Sequence, residues 1–433
     1  MARRLSKKKI SGWLLLFAVI IFFRCGGYRK TASFVKNLSS KASHSQTLDE
    51  SLAAAEIDEM LVHRLDSFVK TAYRVGSLGV YVYDETANQE VYSFNADSLM
   101  RPASNMKMLT CLTALRKLGP NYCFESGAYM KGETKGDTLE GDIALKFTFD
   151  PLFDNAKMAK LADAFRQKGI HRVTGKIIID IKMREPMQHE EHWTIGDLKT
   201  RKLSMLYRGE QRMKNEVKYA LRSHGVNFSD GQVVVARVPK GATKIAATRT
   251  PMRQSISYAL MNSSNEHAEC LTFAMSGMFL DGQNFREAGV RYLQNFIINE
   301  LGCDPDAVSR IHDGCGLCVH DRLTPRFLVR MLHYAYAHKY IYQMLRWYLP
   351  VSGTSGTLRN RMHRPSVRGK IQAKTGTLTR EDGITSLSGY VTTPDGHLIL
   401  FGVIQNEVPV ADARIWQDRF CEQLVKAPRG VKK

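Results

Sequence analysis

Residues 101–120 constrain the fold of this chain more than any other stretch. Arg101-Pro102-Ala103-Ser104-Asn105-Met106-Lys107 leads into Met108, Leu109, Leu112 and Leu115 at helical spacing, and Gly119-Pro120 stops the run. Apolar residues over much of the circumference predict a helix buried on several sides, which only a layered domain can enclose. With Ser104 opening that helix, Lys107 falls one turn on and on the same face.

The surrounding chain supplies the layers. Residues 81–83 and 91–94 are short β-type runs around a turn at 84–88, the signature of a hairpin. Near the C-terminus a strand is expected around 369–375, a second at 386–391, a Pro394-Asp395-Gly396 turn, and a third strand at 398–405. A helix at 411–425 follows, with Trp416, Phe420 and Leu424 on one face. Joined into one antiparallel sheet with helices on both faces, these make an α/β (α+β) sandwich. From about 126 to 246 the texture changes to short β-type runs (143–147, 173–181, 232–237) separated by Gly and Asp, and a helical stretch at 251–279 follows. The expected organisation is a discontinuous main domain, 61–125 and 247–433, interrupted by a strand-rich insert, 126–246.

The formal net charge of +20 invites a nucleic-acid reading, but its distribution argues against one. Ten basic residues, from Arg3 to Lys41, precede the first acidic residue, Asp49, so about half of the excess sits in a tail. The cluster Arg3 to Lys9 meets an apolar run, Ile10 to Phe23, closed by Arg24 and followed by Cys25-Gly26-Gly27. That is the pattern of an export signal, either cleaved or retained as a membrane anchor. Residues 1–27 are expected to direct export, to the periplasm in a cell with two membranes, and the Ser/Lys-rich 28–60 to act as a tether. No nucleic-acid partner is expected.

Three short motifs occur in order. In Ser104-x-x-Lys107, a neutral lysine can take the proton that makes serine a nucleophile. In Ser263-Ser264-Asn265, a hydroxyl can relay a proton and an amide can orient a substrate carbonyl when the backbone turns between them. In Lys374-Thr375-Gly376-Thr377, the lysine offers a fixed positive charge and the threonines offer hydroxyls to a substrate carboxylate. Gly376 allows close backbone approach, and the Thr377 N–H offers an oxyanion donor. Each motif alone is common on solvated helix faces and loops. Together and in this order they match the Ser-x-x-Lys, Ser-x-Asn and Lys-Thr-Gly set of β-lactamases and penicillin-binding proteins.

The chain resembles the class C low-molecular-mass penicillin-binding proteins, the D-alanyl-D-alanine carboxypeptidase/endopeptidase family. The matching stretches are 101–107, 141–151, 169–180, 192–198, 249–271, 313–325, 349–361 and 373–391. The resemblance implies a penicillin-binding/β-lactamase-like transpeptidase core with an insert between the first two motifs. It implies Ser104 as acylated nucleophile, Lys107 as base, Ser263, Asn265 and Lys374 as further catalytic groups, and Thr375, Gly376 and Thr377 as substrate-binding residues. The expected partners are peptidoglycan peptides ending in D-Ala-D-Ala or cross-linked, with β-lactam antibiotics as inhibitors, and neither a cofactor nor a metal is expected. Three departures stand out: an insert shortened after Trp193, Cys315 and Cys318 where serines are usual, and an extra Arg380-Glu381-Asp382-Gly383 just past the third motif.

Two rival functions share the motifs. A β-lactamase would need a deacylating glutamate that no motif supplies, and the 159 positions from Ser104 to Ser263 exceed a compact lactamase. A non-catalytic cell-wall binding protein on the same fold would have no need of all the polar groups present. Cys315-x-x-Cys318 reads as structural thiols, free or paired, before redox or zinc chemistry. His189-Glu190-Glu191-His192 lacks the His-Glu-x-x-His spacing and reads as an exposed polar loop.

Overall fold

The computed structural model describes residues 59–72, 76–188, 190–194, 204–277, 284–303 and 310–426. The expected export signal and nearly all of the expected tether lie outside these residues. Among the described residues no helix is long and apolar enough to cross a membrane.

In chain order the elements are α1 (Glu59–Ala72), β1 (Ser77–Asp84), β2 (Gln89–Phe94), α2 (Met106–Leu118), β3 (Cys123–Lys135), β4 (Thr138–Lys146) and α3 (Asn155–Gln167). Then come β5 (Arg172–Val173), β6 (Ile177–Asp180), α4 (Glu210–Ser223), β7 (Val233–Val235), β8 (Thr243–Pro251), α5 (Met252–Met261), α6 (Asn265–Gly277) and α7 (Phe285–Asn299). The chain finishes with α8 (Pro325–Ala337), α9 (Lys339–Tyr348), β9 (Ile371–Leu378), β10 (Ile384–Thr392), β11 (Leu398–Asn406) and α10 (Val410–Val425).

The hairpin and the C-terminal strands join as expected in one antiparallel sheet, ordered β2-β1-β11-β10-β9. Alternation divides its side chains between two faces. Ile399, Phe401 and Val403 of β11 meet Leu61, Leu65 and Val69 of α1 and Trp416, Phe420 and Leu424 of α10. Leu400 and Ile404, on the other face, belong with Leu328 and Leu332 of α8 and Leu109 and Leu112 of α2. Helix α2 is buried from Met106 to Leu115, as its apolar circumference predicts. Pro325 at the first turn of α8 follows Thr324, whose hydroxyl caps the Phe327 N–H at 3.0 Å.

The second sheet runs β7-β6-β4-β3-β8, with β5 beside β4. Strands β3, β4 and β8 are antiparallel, whereas β4, β6 and β7 are parallel, with α3 and α4 in the crossovers. Residues 126 and 246 lie inside β3 and β8. The core is continuous from this sheet into the helices around α2, and residues Ile57–Lys433 form one compact unit. The expected helical stretch at 251–279 is two helices, α5 and α6, broken at Asn262–Ser264 by the second motif itself. The third motif lies within β9, which runs past the expected 375 to Leu378.

Candidate active site

Ser104 sits in a 3₁₀ turn, Ala103–Asn105, that leads directly into α2, and Lys107 is in the first turn of the helix. Ala103 immediately before the nucleophile has φ 46°, and Ser263 has φ 56°. Left-handed conformations at non-glycine residues cost about 1 kcal/mol or more each, and they recur where a side chain must be aimed. Here they stand at and beside the two serines whose hydroxyls meet Lys107 and Lys374.

The three motifs meet there. Lys107 Nζ donates to Ser104 Oγ at 2.7 Å, to Asn265 Oδ1 at 2.7 Å and to the Cys315 carbonyl at 2.6 Å. Lys374 Nζ donates to Ser263 Oγ at 2.8 Å and to the Thr375 carbonyl at 2.6 Å. Both lysines are wholly buried. Burial pushes Lys107 below the ordinary lysine range, against the opposing pull of Asp313, Glu269 and Glu266. Burial, reinforced by the positive charge of Lys107, pushes Lys374 well down. Its dry surroundings and its lysine neighbour thus both work against the fixed positive charge expected of Lys374.

Strand β9 is the edge of its sheet. Ala373 N donates to Pro350 O and Ile371 O accepts from Ser352 N, both at 3.0 Å, so odd-numbered residues direct their backbone groups away from β10. By the same alternation the Thr377 N–H points to the free edge of the sheet. Beside the expected approach of a substrate backbone, Gly376 answers a second demand, from within the fold. A Cβ on Gly376 would strike Ser386 Oγ, lie 2.7 Å from Pro102 O and sit 3.1 Å from Ser104 N. What approaches closely is the nucleophile's own turn.

Sequence reasoning missed the groups that hold that turn. Asn105 Nδ2 donates to Ser386 Oγ at 2.7 Å and to Lys374 O at 3.3 Å. Ser388 Oγ donates to Asn105 Oδ1 at 2.6 Å, and Ser386 Oγ to Pro102 O at 2.5 Å. It also missed Asp313. Its Oδ1 accepts from the Cys315 and Gly316 N–H groups at 2.9 and 2.5 Å. Its Oδ2 accepts from Leu317 N at 3.0 Å, Cys318 N at 2.8 Å and Trp193 Nε1 at 2.7 Å. The buried carboxylate thus shapes the turn that presents the Cys315 carbonyl to Lys107. Arg414, in the second turn of α10, donates to Thr377 Oγ1 at 3.1 Å. Serines 386 and 388 alternate on one face of β10, a period-2 polar signal inside an apolar strand that was available to find. Asp313 opens the matching stretch 313–325, which was available to point to it, whereas nothing local marks Arg414.

The extra loop Arg380-Glu381-Asp382-Gly383 forms the β9–β10 turn, with Glu381, Asp382 and Gly383 all at positive φ. Its Arg380 donates to the Leu317 carbonyl, on the turn that Asp313 shapes. The exposed-loop reading of 189–192 fails in part. Glu190 is buried and accepts from His192 N, and its Oε1 lies 2.8 Å from His192 Nδ1, while His189 lies outside the described residues. Each of the seven cysteines in the described residues, Cys315 and Cys318 included, is a free thiol.

The arrangement supplies a nucleophilic hydroxyl, a buried amine within reach of its proton and a second hydroxyl on a second amine across the cleft. Backbone N–H groups at the edge of the sheet complete the requirements of acyl transfer. Known proteins share this architecture and parts of this sequence. The crystal structure of penicillin binding protein 4 (dacB) from Haemophilus influenzae superposes with a TM-score of 0.69 over 83% of this chain and 98% of that one, at 18% identity. A predatory peptidoglycan endopeptidase from Bdellovibrio bacteriovorus superposes with a TM-score of 0.53 over 77% of this chain and 87% of that one, at 16% identity. These establish the fold, the penicillin-binding architecture expected from the motifs. In sequence, the D-alanyl-D-alanine carboxypeptidase of Actinomadura sp. (strain R39) is 32% identical over 196 residues, 43% of this chain and 35% of that protein. The D-alanyl-D-alanine carboxypeptidase DacB of Haemophilus influenzae is 23% identical over 122 residues, 28% of this chain and 26% of that protein. The chain therefore spans well under two thirds of the length of either relative. The model of one family matches residues 61–204 and 202–424, which takes in all three motifs, and the chain belongs to that family, the D-Ala-D-Ala carboxypeptidase 3 (S13) family.

Proposed function

We propose that the chain is a serine D-alanyl-D-alanine carboxypeptidase/endopeptidase that cleaves peptidoglycan stem peptides through an acyl-enzyme on Ser104 and is blocked by β-lactams. The observation that carries this reading is the pair of buried lysines, each bonded to a serine hydroxyl on its own side of one cleft. A lysine held below its ordinary range is the better base, because more of it is neutral at any given pH.

In this mechanism Lys107 takes the Ser104 proton as Oγ attacks the penultimate D-alanine carbonyl. The Ser104 and Thr377 N–H groups hold the oxyanion. Asn265, whose oxygen is engaged by Lys107, offers its NH₂ to the substrate amide. The proton reaches the departing D-alanine amine through Ser263, supported by Lys374. Thr375, Thr377 and Arg414 receive the terminal carboxylate. Water then releases the acyl group along the same proton path. A β-lactam acylates Ser104 in place of the peptide.

Residues 1–27 are proposed to carry the enzyme out of the cytoplasm, where its substrate lies, whether as a cleaved signal or as an anchor. A reporter fused after Lys41 should be active only outside the cytoplasm, and cytoplasmic activity would contradict export. The catalytic reading is tested by D-alanine release from a pentapeptide stem and by cleavage of a cross-linked dimer. Turnover of either, abolished in Ser104→Ala, is the expected result. Absence of both activities, with acylation by penicillin intact, would return the chain to the rank of a binding protein.

A further inference from the structure

Away from the catalytic cleft, on the outer side of the Asp313 turn, four potential ligands of mixed type converge. A carboxylate oxygen of Glu190, a ring nitrogen of His192, a ring nitrogen of His312 and the Cys318 sulfur all lie within 4.8 Å of one another. Glu190 and Cys318 are buried. Around them the rings gather further. His192 stands edge-on to His320 with centroids 4.2 Å apart, and to His312 at 5.8 Å.

We propose that Glu190, His192, His312 and Cys318 form a structural site for a divalent transition metal, zinc by its ligand chemistry. A tetrahedral zinc with ligands at about 2.0–2.3 Å needs them roughly 3.3–3.8 Å apart, so small rotamer changes close the observed cluster around an ion. The donor set of one sulfur, two nitrogens and one oxygen suits zinc, and it lacks the all-oxygen shell that calcium or magnesium takes. The thiolate and the carboxylate together neutralise the dication. On binding, the Cys318 thiol gives up its proton to solvent and the two imidazoles bind neutral.

The second acidic-and-thiol cluster nearby, Glu269, Asp313 and Cys315, does different work. Glu269 is engaged by the Gly314 N–H at 2.8 Å and by Arg286 at 3.3 Å, and Asp313 by four backbone N–H groups and Trp193. Those carboxylates already have their partners, and they are internal struts of the turn.

Position gives the metal its purpose. His312 and Cys318 bracket Asp313 in sequence, and Glu190 and His192 come from the segment whose Trp193 bonds Asp313. One ion therefore clamps both ends of the turn that presents the Cys315 carbonyl to Lys107.

The test uses the full chain, freed of metal with a chelator and titrated with Zn²⁺ and, separately, Co²⁺. The expected result is one equivalent bound, with a thiolate-to-cobalt charge-transfer band. Cys318→Ser should abolish that band and His192→Gln should weaken Zn²⁺ binding at least about tenfold, while Cys421→Ser, in α10, leaves both unchanged. His192 is partly exposed, so its variant should fold even if Cys318→Ser does not. Failure of the wild-type chain to bind either ion, or equal binding by wild type and His192→Gln, would overturn the site. So would a charge-transfer band that persists in Cys318→Ser.

Discussion

Lys107 Nζ donates to the Cys315 backbone carbonyl at 2.6 Å, slightly closer than its 2.7 Å approach to the Ser104 hydroxyl. The base is thus held by a carbonyl that Asp313 positions. Asp313→Asn keeps the side-chain volume but exchanges one charged acceptor for an NH₂ group that faces backbone N–H donors. The loss should be about 2–4 kcal/mol of stability, since a buried carboxylate is exchanged for mismatched donors. Acylation of Ser104 should slow even at temperatures where the variant is folded. Denaturant unfolding and single-turnover acylation check the two effects, and unchanged acylation would separate the turn from the base.

Acylation should depend on pH in a fixed direction. Native Lys107 is held below its ordinary value near 10.5, and the neutral amine is the base. The rate therefore rises as pH rises through the lowered pKa and levels off before the ordinary lysine range. Lysines with lowered native pKa also bind fewer protons folded than unfolded, so Lys107 and Lys374 contribute stability that grows with pH between their native values and 10.5. A pre-steady-state pH profile of acylation checks the first point. A rate still climbing through the ordinary lysine range would contradict it.

Gly376→Ala places a methyl group against Pro102 O and Ser104 N. The sheet should survive, because β9 is an edge strand, but the nucleophile must move. A displacement of about 1 Å is enough to cost roughly 100-fold in rate. Wild-type-like thermal unfolding with acylation reduced on that scale is the expected outcome, and normal acylation would show that the turn yields without consequence.

Much of this was legible in advance because motif spacing and alternation are local signals. The apolar circumference of residues 108–115 announced a buried helix, and the outer hairpin and last strands announced their sheet. Three things were hidden. Helices α5 and α6 read as one because the break at Ser263 rests on a left-handed backbone that no glycine marks. The helical crossovers of the second sheet were masked by its short β-type runs. The partners of Ser104's turn and the Asp313 strut are long-range: Asn105 meets Ser388 across 283 positions, and Trp193 meets Asp313 across 120. Such pairings are fixed by topology, and topology is what a single sequence states least directly.

Ser263 and Lys374 make a separate claim about the leaving group. Their 2.8 Å contact puts a hydroxyl with its own amine across the cleft from Ser104. Ser263→Ala should lose about 10²–10⁴-fold in acylation by an amide, the usual worth of general acid–base help. Acylation by a matched thioester should suffer far less, since a thiolate departs without prior protonation. Equal losses on both substrates would make Ser263 a binding group only.

The account rests above all on one covalent bond. Full-length protein incubated with a fluorescent penicillin, digested and mapped by mass spectrometry, should carry a single adduct on the peptide containing Ser104. Ser104→Ala should carry none, while the Lys107→Arg variant, which keeps a cation but offers no base, should label very slowly. Labelling at another residue, undiminished labelling of Ser104→Ala, or no adduct on the wild-type chain would contradict it.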